Sequence, residues 1–287
     1  MPWLQAHLLG DPDSAPLLEL RLEQLGALSV TIRDAGDEPI LEPAPGDTRL
    51  WKRTRVTGLF PGETDPEALR LALDRAGARV ELEWLADQNW ERAWLDRFAP
   101  MRFGERLWIR PSGFRVDAPD AVIIDLDPGL AFGTGTHPTT ALCLRWLDAH
   151  PPAARDVIDF GCGSGILAIA AARLGARRVH AIDHDPQALL ASADNARRNG
   201  CRDTIAIHAA TAPEPPVADL VMANILASTL LELRASLTRL VRRGGDLLLS
   251  GILAEQAEEV SMAYAADFDF PTSERQGDWV LLHATRR

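Results

Sequence analysis

The sequence is poor in cysteine and has no long run of apolar residues. Its three cysteines, Cys143, Cys162 and Cys201, are too few and too widely spaced for a disulfide framework or a zinc site. No apolar stretch approaches the roughly 20 residues that a membrane-spanning helix needs. The first residues lack the basic and apolar segments of a signal peptide. We therefore expect a cytoplasmic protein without a metal site.

The sequence also has fewer basic than acidic residues. The 287 residues include 30 lysines and arginines against 41 aspartates and glutamates, which gives a net charge of −11. Nucleic-acid phosphates are bound by basic patches, so this balance argues against direct binding of nucleic acid. It is compatible with a basic protein as partner. The length allows one large domain or two modest ones with a substantial core.

The most informative segment combines a buried strand, a glycine-rich turn and a helix. Val157–Phe160 is mostly apolar, and Gly161, Gly163 and Gly165 then alternate with other residues before an apolar helical stretch. A second apolar run ends in Asp183, at roughly the distance of about 20 residues where an acid can accept hydrogen bonds from ribose hydroxyls. This order predicts a nucleoside-binding site.

The spacing of the glycines and the acid before them bear on which nucleoside is bound. The pattern is G-x-G-x-G, not the G-x-G-x-x-G of dinucleotide sites, and Asp159 lies two residues before the first glycine. A carboxylate there would repel a pyrophosphate, whereas it suits S-adenosylmethionine, which carries an ammonium and a sulfonium group. A nicotinamide-dependent oxidoreductase is the alternative enzyme, and a turn that merely links strand to helix is the structural alternative.

Apolar periodicity divides the chain into two parts with a linker. The order strand, helix, strand, strand, helix, strand predicts a small ferredoxin-like α+β domain at residues 1–86. Residues 87–100 predict a linker helix with an aromatic stripe of Trp90, Trp94 and Phe98. Residues 101–287 alternate strands with helices, which predicts a doubly wound, mostly parallel α/β sheet with ligands at the carboxyl ends of its strands.

Seven strands and four helices are predicted within this second part. The strands are Asp156–Phe160, Val179–Ile182, Thr204–His208, Leu220–Ala223, Asp246–Ser250, Asp267–Phe270 and Trp279–His283. The helices are Gly165–Leu174, Pro186–Asn199, Leu226–Arg242 and Ala254–Ala265. Gly244 and Gly245 are expected to end the third helix, because glycine is common just past a helix C-terminus.

Two further segments carry candidate site residues. The glycine-rich loop Asp127–Thr140 runs into a helix with Pro138 in its first turn, where Thr136 or His137 would be the N-cap and threonine is the better one. A threonine hydroxyl there could instead meet the carboxylate of the cofactor's methionine moiety, which a helix N-terminus favours. Asn224 follows the fourth strand, where its amide can orient an amine; the alternative is an N-cap for the next helix.

Taken together, these segments resemble the PrmA family of ribosomal protein L11 methyltransferases. The loop Phe132–Thr140 is the most specific part, because the glycine motif alone identifies only the class I methyltransferase superfamily. The similarity covers Asp127–Thr140, Asp159–Ala171, Ile182–Pro186, Val221–Ala227, Asn89–Trp94, Met101–Trp108 and Gly277–Leu282.

The resemblance implies a seven-stranded methyltransferase sheet and a protein N-methyltransferase. The reaction would move methyl groups from S-adenosylmethionine to amines of a large-subunit ribosomal protein, which the N-terminal domain recognises. These amines would be lysine side chains, the N-terminal amine or both. The implied cofactor contacts are Thr140, Gly161, Gly163, Asp183 and Asn224. No catalytic base is assigned, although Asn224 is a candidate for orienting the amine.

Other functions stay open at this stage. A methyltransferase acting on RNA or a small molecule would share the same cofactor site, and so would a module that binds the cofactor without using it. We expect the protein to be a monomer.

Overall fold

The computed structural model describes residues 2–36, 50–74, 79–86, 99–127 and 135–287. The chain divides into two compact units, Met1–Ala93 and Trp94–Arg287. The predicted linker helix, with its aromatic stripe, lies outside the described residues except for positions 99 and 100. Within the described ranges, no helix is long and apolar enough to cross a bilayer.

The N-terminal unit is an antiparallel sheet with two helices. Its elements are β1 (Trp3–Gly10), α1 (Ala15–Gln24), β2 (Ser29–Asp34), β3 (Thr54–Phe60), α2 (Pro66–Asp74) and β4 (Val80–Leu85). The strand order is β2-β3-β1-β4. Successive side chains of a strand point to opposite faces, so Leu4, Ala6 and Leu8 of β1 share one face and pack with Leu22 of α1 and Leu73 of α2.

The C-terminal unit begins with a small separate sheet. It is formed by β5 (Met101–Phe103), β6 (Leu107–Arg110) and β7 (Val122–Asp125). The elements that follow are α3 (Pro138–Ala149), β8 (Asp156–Phe160), α4 (Ile166–Arg173), β9 (Arg178–Asp183), α5 (Pro186–Arg198), β10 (Ile205–Ala209), β11 (Ala218–Asn224), α6 (Ala227–Glu232), α7 (Arg234–Leu240), β12 (Val241–Leu253), α8 (Ala257–Tyr264), β13 (Phe268–Gln276) and β14 (Trp279–Arg286).

The strands from β8 onward form the central sheet of this unit. Their order is β10-β9-β8-β11-β12-β14-β13. The pairs from β10 to β12 are parallel, whereas β14 pairs antiparallel with both β12 and β13. The predicted α/β fold with a mostly parallel central sheet is therefore confirmed.

The central strands are apolar on both faces, as expected for parallel strands covered by helices on each side. Val157 and Met222 belong to one buried cluster, and Ile158 and Val221 belong to the other. In the register of the sheet, Phe160 of β8 pairs with Ile182 of β9 and with Ala223 of β11. The carboxyl ends of these three strands consequently lie side by side.

The long helix predicted at Leu226–Arg242 is wrong in its extent. Two short helices, α6 and α7, occupy this region, and Leu233 lies between them with φ −87° and ψ 4°. Strand β12 begins at Val241, so Gly244 and Gly245 lie within a strand and do not end a helix. Glycines inside a strand often mark a bulge, and the pairing of β11 with β12 shifts register at this point.

Candidate functional site

Three of the predicted site residues lie at the carboxyl ends of neighbouring parallel strands. Gly161 follows β8, Asp183 ends β9 and Asn224 ends β11. Because β9, β8 and β11 are adjacent in that order, the three residues share one edge of the sheet. Open α/β sheets bind their ligands at this edge.

The glycine turn adopts a backbone that side chains would disturb. Gly161, Gly163 and Gly165 have φ values of 76°, 54° and 79°, a left-handed region that favours glycine. A Cβ atom on Gly161 would overlap Cγ2 of Ile225, and one on Gly165 would lie 2.9 Å from Oγ of Ser192. Gly161 and Gly163 are partly exposed. The turn therefore offers bare backbone to a ligand.

Asp183 is attached to this turn by hydrogen bonds. Its Oδ2 accepts from the N–H of Gly163 at 2.9 Å, and its Oδ1 accepts from the N–H of Asp185 at 3.0 Å. The exposed His184 approaches Oδ1 at 3.4 Å. Asp183 itself is 7% exposed. A carboxylate has about four lone-pair positions, so acceptor capacity remains for the hydroxyl groups of a ligand.

Asp159 is buried and bonded to the helix that follows the turn. It is 1% exposed, and its Oδ2 accepts a hydrogen bond of 2.9 Å from the N–H of Ala168 in the first turn of α4. Gly165, the N-cap of α4, has no side chain that could make such a bond. Burial raises the pKa of Asp159 to about 7, and the nearby carboxylate of Asp183 adds to the shift. Asp159 thus joins β8 to α4.

Thr140 and Asn224 are brought together from α3 and β11. Nδ2 of Asn224 donates a hydrogen bond to Oγ1 of Thr140 at 3.3 Å. Thr140 is 1% exposed, whereas Asn224 is partly exposed. The alternative role of Asn224 as a helix cap is wrong, because the N-cap of α6 is Leu226, which makes no side-chain capping bond.

The start of α3 differs from the prediction in one residue. Pro138 lies in its first turn as predicted, but the N-cap is His137 and not Thr136. Nδ1 of His137 accepts from the N–H of Thr139 at 3.4 Å, and its ring meets Trp279 edge-on with the centroids 4.8 Å apart. Burial lowers the pKa of His137. The preceding loop, residues 128–134, lies outside the described residues.

Helix α5 contributes contacts that the sequence interpretation missed. Oγ of Ser192, 2% exposed, donates to the carbonyl of Gly163 at 2.8 Å, and Nδ2 of Asn195 donates to the carbonyl of Ser164 at 2.9 Å. The two donors are three residues apart and so lie on one face of the helix. The sequence signal for these two contacts is a pair of polar residues, three positions apart, on a helix that has a buried face. The predicted helix end at Asn199 is confirmed.

Comparison with known proteins decides the family. A sequence model described as ribosomal protein L11 methyltransferase (PrmA) matches residues 2–287. The chain belongs to this family. A relative from Pseudomonas aeruginosa with that name is 55% identical over 293 residues, which cover 100% of this chain and 99% of the relative. One from Azotobacter vinelandii is also 55% identical, over 294 residues and 100% of both chains.

A solved structure of the same family agrees. The crystal structure of ribosomal protein L11 methylase from Lactobacillus delbrueckii subsp. bulgaricus has a TM-score of 0.62 and 35% identity, and the match covers 66% of this chain and 100% of that one. The family resemblance drawn from the sequence is confirmed. The chain is therefore a member of a methyltransferase family, and the oxidoreductase alternative is set aside.

Proposed function

We propose that this protein transfers methyl groups from S-adenosylmethionine to amines of ribosomal protein L11, which are lysine side chains, the N-terminal amine or both. One observation carries the proposal. The glycine turn Gly161–Gly165, Asp183 and the Thr140–Asn224 pair share one edge of the sheet in a chain of the L11 methyltransferase family. The acceptor is inferred from the name of the relatives, and the methyl donor is inferred from the residues of the site.

The residues at this edge fit S-adenosylmethionine. Asp183 keeps acceptor capacity that suits ribose hydroxyls, and the partly exposed Gly161 and Gly163 allow close approach to the backbone. Thr140 and Asn224 complete the proposed set of cofactor contacts. When bound, the cofactor supplies a methyl group on a positively charged sulfonium.

The chain's part in the reaction is to position a neutral amine. A lysine amine has an ordinary pKa of about 10.4 and must lose a proton before it can attack. Holding the amine in line with the methyl group supplies much of the acceleration. Because Nδ2 of Asn224 donates to Thr140, its Oδ1 takes no part in that contact and can accept a hydrogen bond from the amine. Asn224 would thus orient the acceptor, and no side chain is assigned as base.

We assign the rest of the chain by the same reasoning. Residues 1–86 are a ferredoxin-like substrate-recognition domain, residues 87–100 a linker helix and residues 101–287 a methyltransferase domain with a seven-stranded sheet. The βαββαβ element order, the strand order β2-β3-β1-β4 and the separate compact unit Met1–Ala93 support the first assignment. A monomer acting in the cytoplasm on a ribosomal protein is the simplest form of the proposal.

An acceptor panel tests this function. Cofactor binding is first measured by calorimetry, and transfer of labelled methyl groups is then measured to recombinant L11, to ribosomal RNA and to a small primary amine. We expect L11 alone to become labelled. Labelled RNA or labelled small amine in place of L11 would overturn the choice of acceptor. Binding of the cofactor without transfer to any acceptor would overturn the enzymatic proposal.

A further inference from the structure

Ile225, the residue after Asn224, occupies space that two glycines leave open. Its side chain lies against Gly161, where an added Cβ would overlap Cγ2 of Ile225. Its backbone lies against Gly251 of β12, where an added Cβ would overlap the carbonyl oxygen of Ile225 and lie 2.8 Å from its carbonyl carbon. Any larger residue at position 251 would have to displace backbone, which cannot rotate away as a side chain can.

Ser250, the residue before Gly251, contacts the backbone next to Thr140. Ser250 is fully buried and pairs with Asn224 in the register of β11 and β12. Its Oγ donates a hydrogen bond of 3.3 Å to the carbonyl of Thr139, the neighbour of Thr140 in α3. Two successive residues of β12 therefore hold the backbone next to Thr140 and the backbone next to Asn224.

The bond between Asn224 and Thr140 is sensitive to such contacts. Its length of 3.3 Å is already beyond the usual range of about 2.7–3.2 Å for N–H···O bonds. Ile225 and Asn224 share a peptide plane, so a shift of Ile225 is passed to the backbone of Asn224. Lengthening by a few tenths of an ångström would take the bond beyond hydrogen-bonding distance. The position of the Asn224 amide thus depends on the room that Gly251 leaves.

We propose that Ser250 and Gly251 are positioning residues for methyl transfer, which act by holding Thr140 and Asn224 at hydrogen-bonding distance. This inference rests on the proposed function of that pair. The proposed role needs no contact of Ser250 or Gly251 with the transferred methyl group. They set the geometry of the residues that face cofactor and acceptor.

The variant Gly251→Ala tests the proposal against a matched control, Gly244→Ala. Both glycines lie in β12 with positive φ, 82° and 71°, so both variants carry the same kind of backbone strain. An added Cβ at Gly244 meets nothing within 4 Å, whereas one at Gly251 meets the backbone of Ile225. We expect the turnover number at saturating cofactor and L11 to fall by about 10- to 100-fold in Gly251→Ala and to stay near wild type in Gly244→Ala.

The same two substitutions in an Asn224→Ala background separate positioning from general destabilisation. If Gly251 acts through Asn224, Gly251→Ala causes little further loss once Asn224 has been removed. Independent effects would multiply instead. Ser250→Ala, which adds no atoms, repeats the test should Gly251→Ala fail to fold by circular dichroism.

The outcomes for the two proposals are distinct. Wild-type protein that binds the cofactor but methylates nothing overturns the proposed function. The single and double variants of Gly251 and Asn224 are then compared by their calorimetric affinity for S-adenosylmethionine. The positioning role alone is overturned in two cases, both with an active wild type. In the first, Gly251→Ala and Gly244→Ala lose the same share of the turnover number. In the second, the losses of Gly251→Ala and Asn224→Ala multiply when the two substitutions are combined.

Discussion

Replacing Asp159 by asparagine should change how the stability of the C-terminal unit depends on pH. The side chain is 1% exposed, and its burial raises the pKa from an ordinary value near 3.8 to about 7. Asn keeps the shape of the side chain and an oxygen that can accept the hydrogen bond of Ala168. The substitution Asp159→Asn therefore removes the charge with little change in packing.

The magnitude follows from the shift of the pKa. About three pKa units at 1.36 kcal/mol each amount to about 4 kcal/mol. Because the folded pKa lies above the unfolded one, the folded state holds more protons between about pH 4 and 7. The free energy of unfolding consequently falls as the pH rises through this window. About two of these three pH units lie between pH 5 and the folded pKa. The unfolding free energy of wild type should therefore fall by about 3 kcal/mol relative to that of Asp159→Asn between pH 5 and 8.

Urea unfolding at pH 5 and pH 8 measures this difference. Pulse-labelling hydrogen exchange of β8 peptides reports the transition of the C-terminal unit separately from that of the N-terminal unit. The exposed Asp203→Asn serves as control, since it removes a carboxylate without changing a buried group. If the difference in unfolding free energy between wild type and Asp159→Asn changes by less than about 0.5 kcal/mol from pH 5 to pH 8, the raised pKa of Asp159 is contradicted.

Three further substitutions test other contacts. Asp183→Ala should weaken calorimetric binding of S-adenosylmethionine by about 1–3 kcal/mol, the range for hydrogen bonds to a charged group, and unchanged affinity would contradict a ribose contact. Ser192→Ala leaves the carbonyl of Gly163 without its 2.8 Å donor and should lower unfolding free energy by about 1–3 kcal/mol in urea titrations; an unchanged midpoint would speak against it. Asn199→Ala breaks bonds to both the N–H and the carbonyl of Asp125 and should increase hydrogen exchange in β7, whereas unaltered exchange would show that β7 does not depend on α5.

Local patterns in the sequence were enough to predict the strand, turn and helix around Gly161. An apolar run followed by alternating glycines specifies this geometry over a few residues, and Asp183 was found because a parallel strand ends where its apolar run ends. The same logic failed at Leu226–Arg242, where apolar spacing continued across the break between α6 and α7. Periodicity does not report where one helix stops and the next begins.

Contacts between distant parts of the chain could not be predicted in this way. The hydrogen bond from Ser250 joins residues 111 positions apart, and that from Asn224 to Thr140 joins residues 84 apart. The local sequence places Gly244 in a polar stretch and Gly251 in an apolar one. It does not show that a Cβ at Gly251 would meet the backbone of Ile225, whereas one at Gly244 would meet nothing within 4 Å.

Mass spectrometry of ribosomal protein L11 shows whether this chain methylates it in cells. The protein is taken from cells that contain this chain, from cells that lack it and from cells that carry the Asp183→Ala variant. We expect methyl groups on amines of L11 in the first sample, their loss in the second and a strong reduction in the third. Equal methylation of L11 with and without this chain would contradict the proposed function.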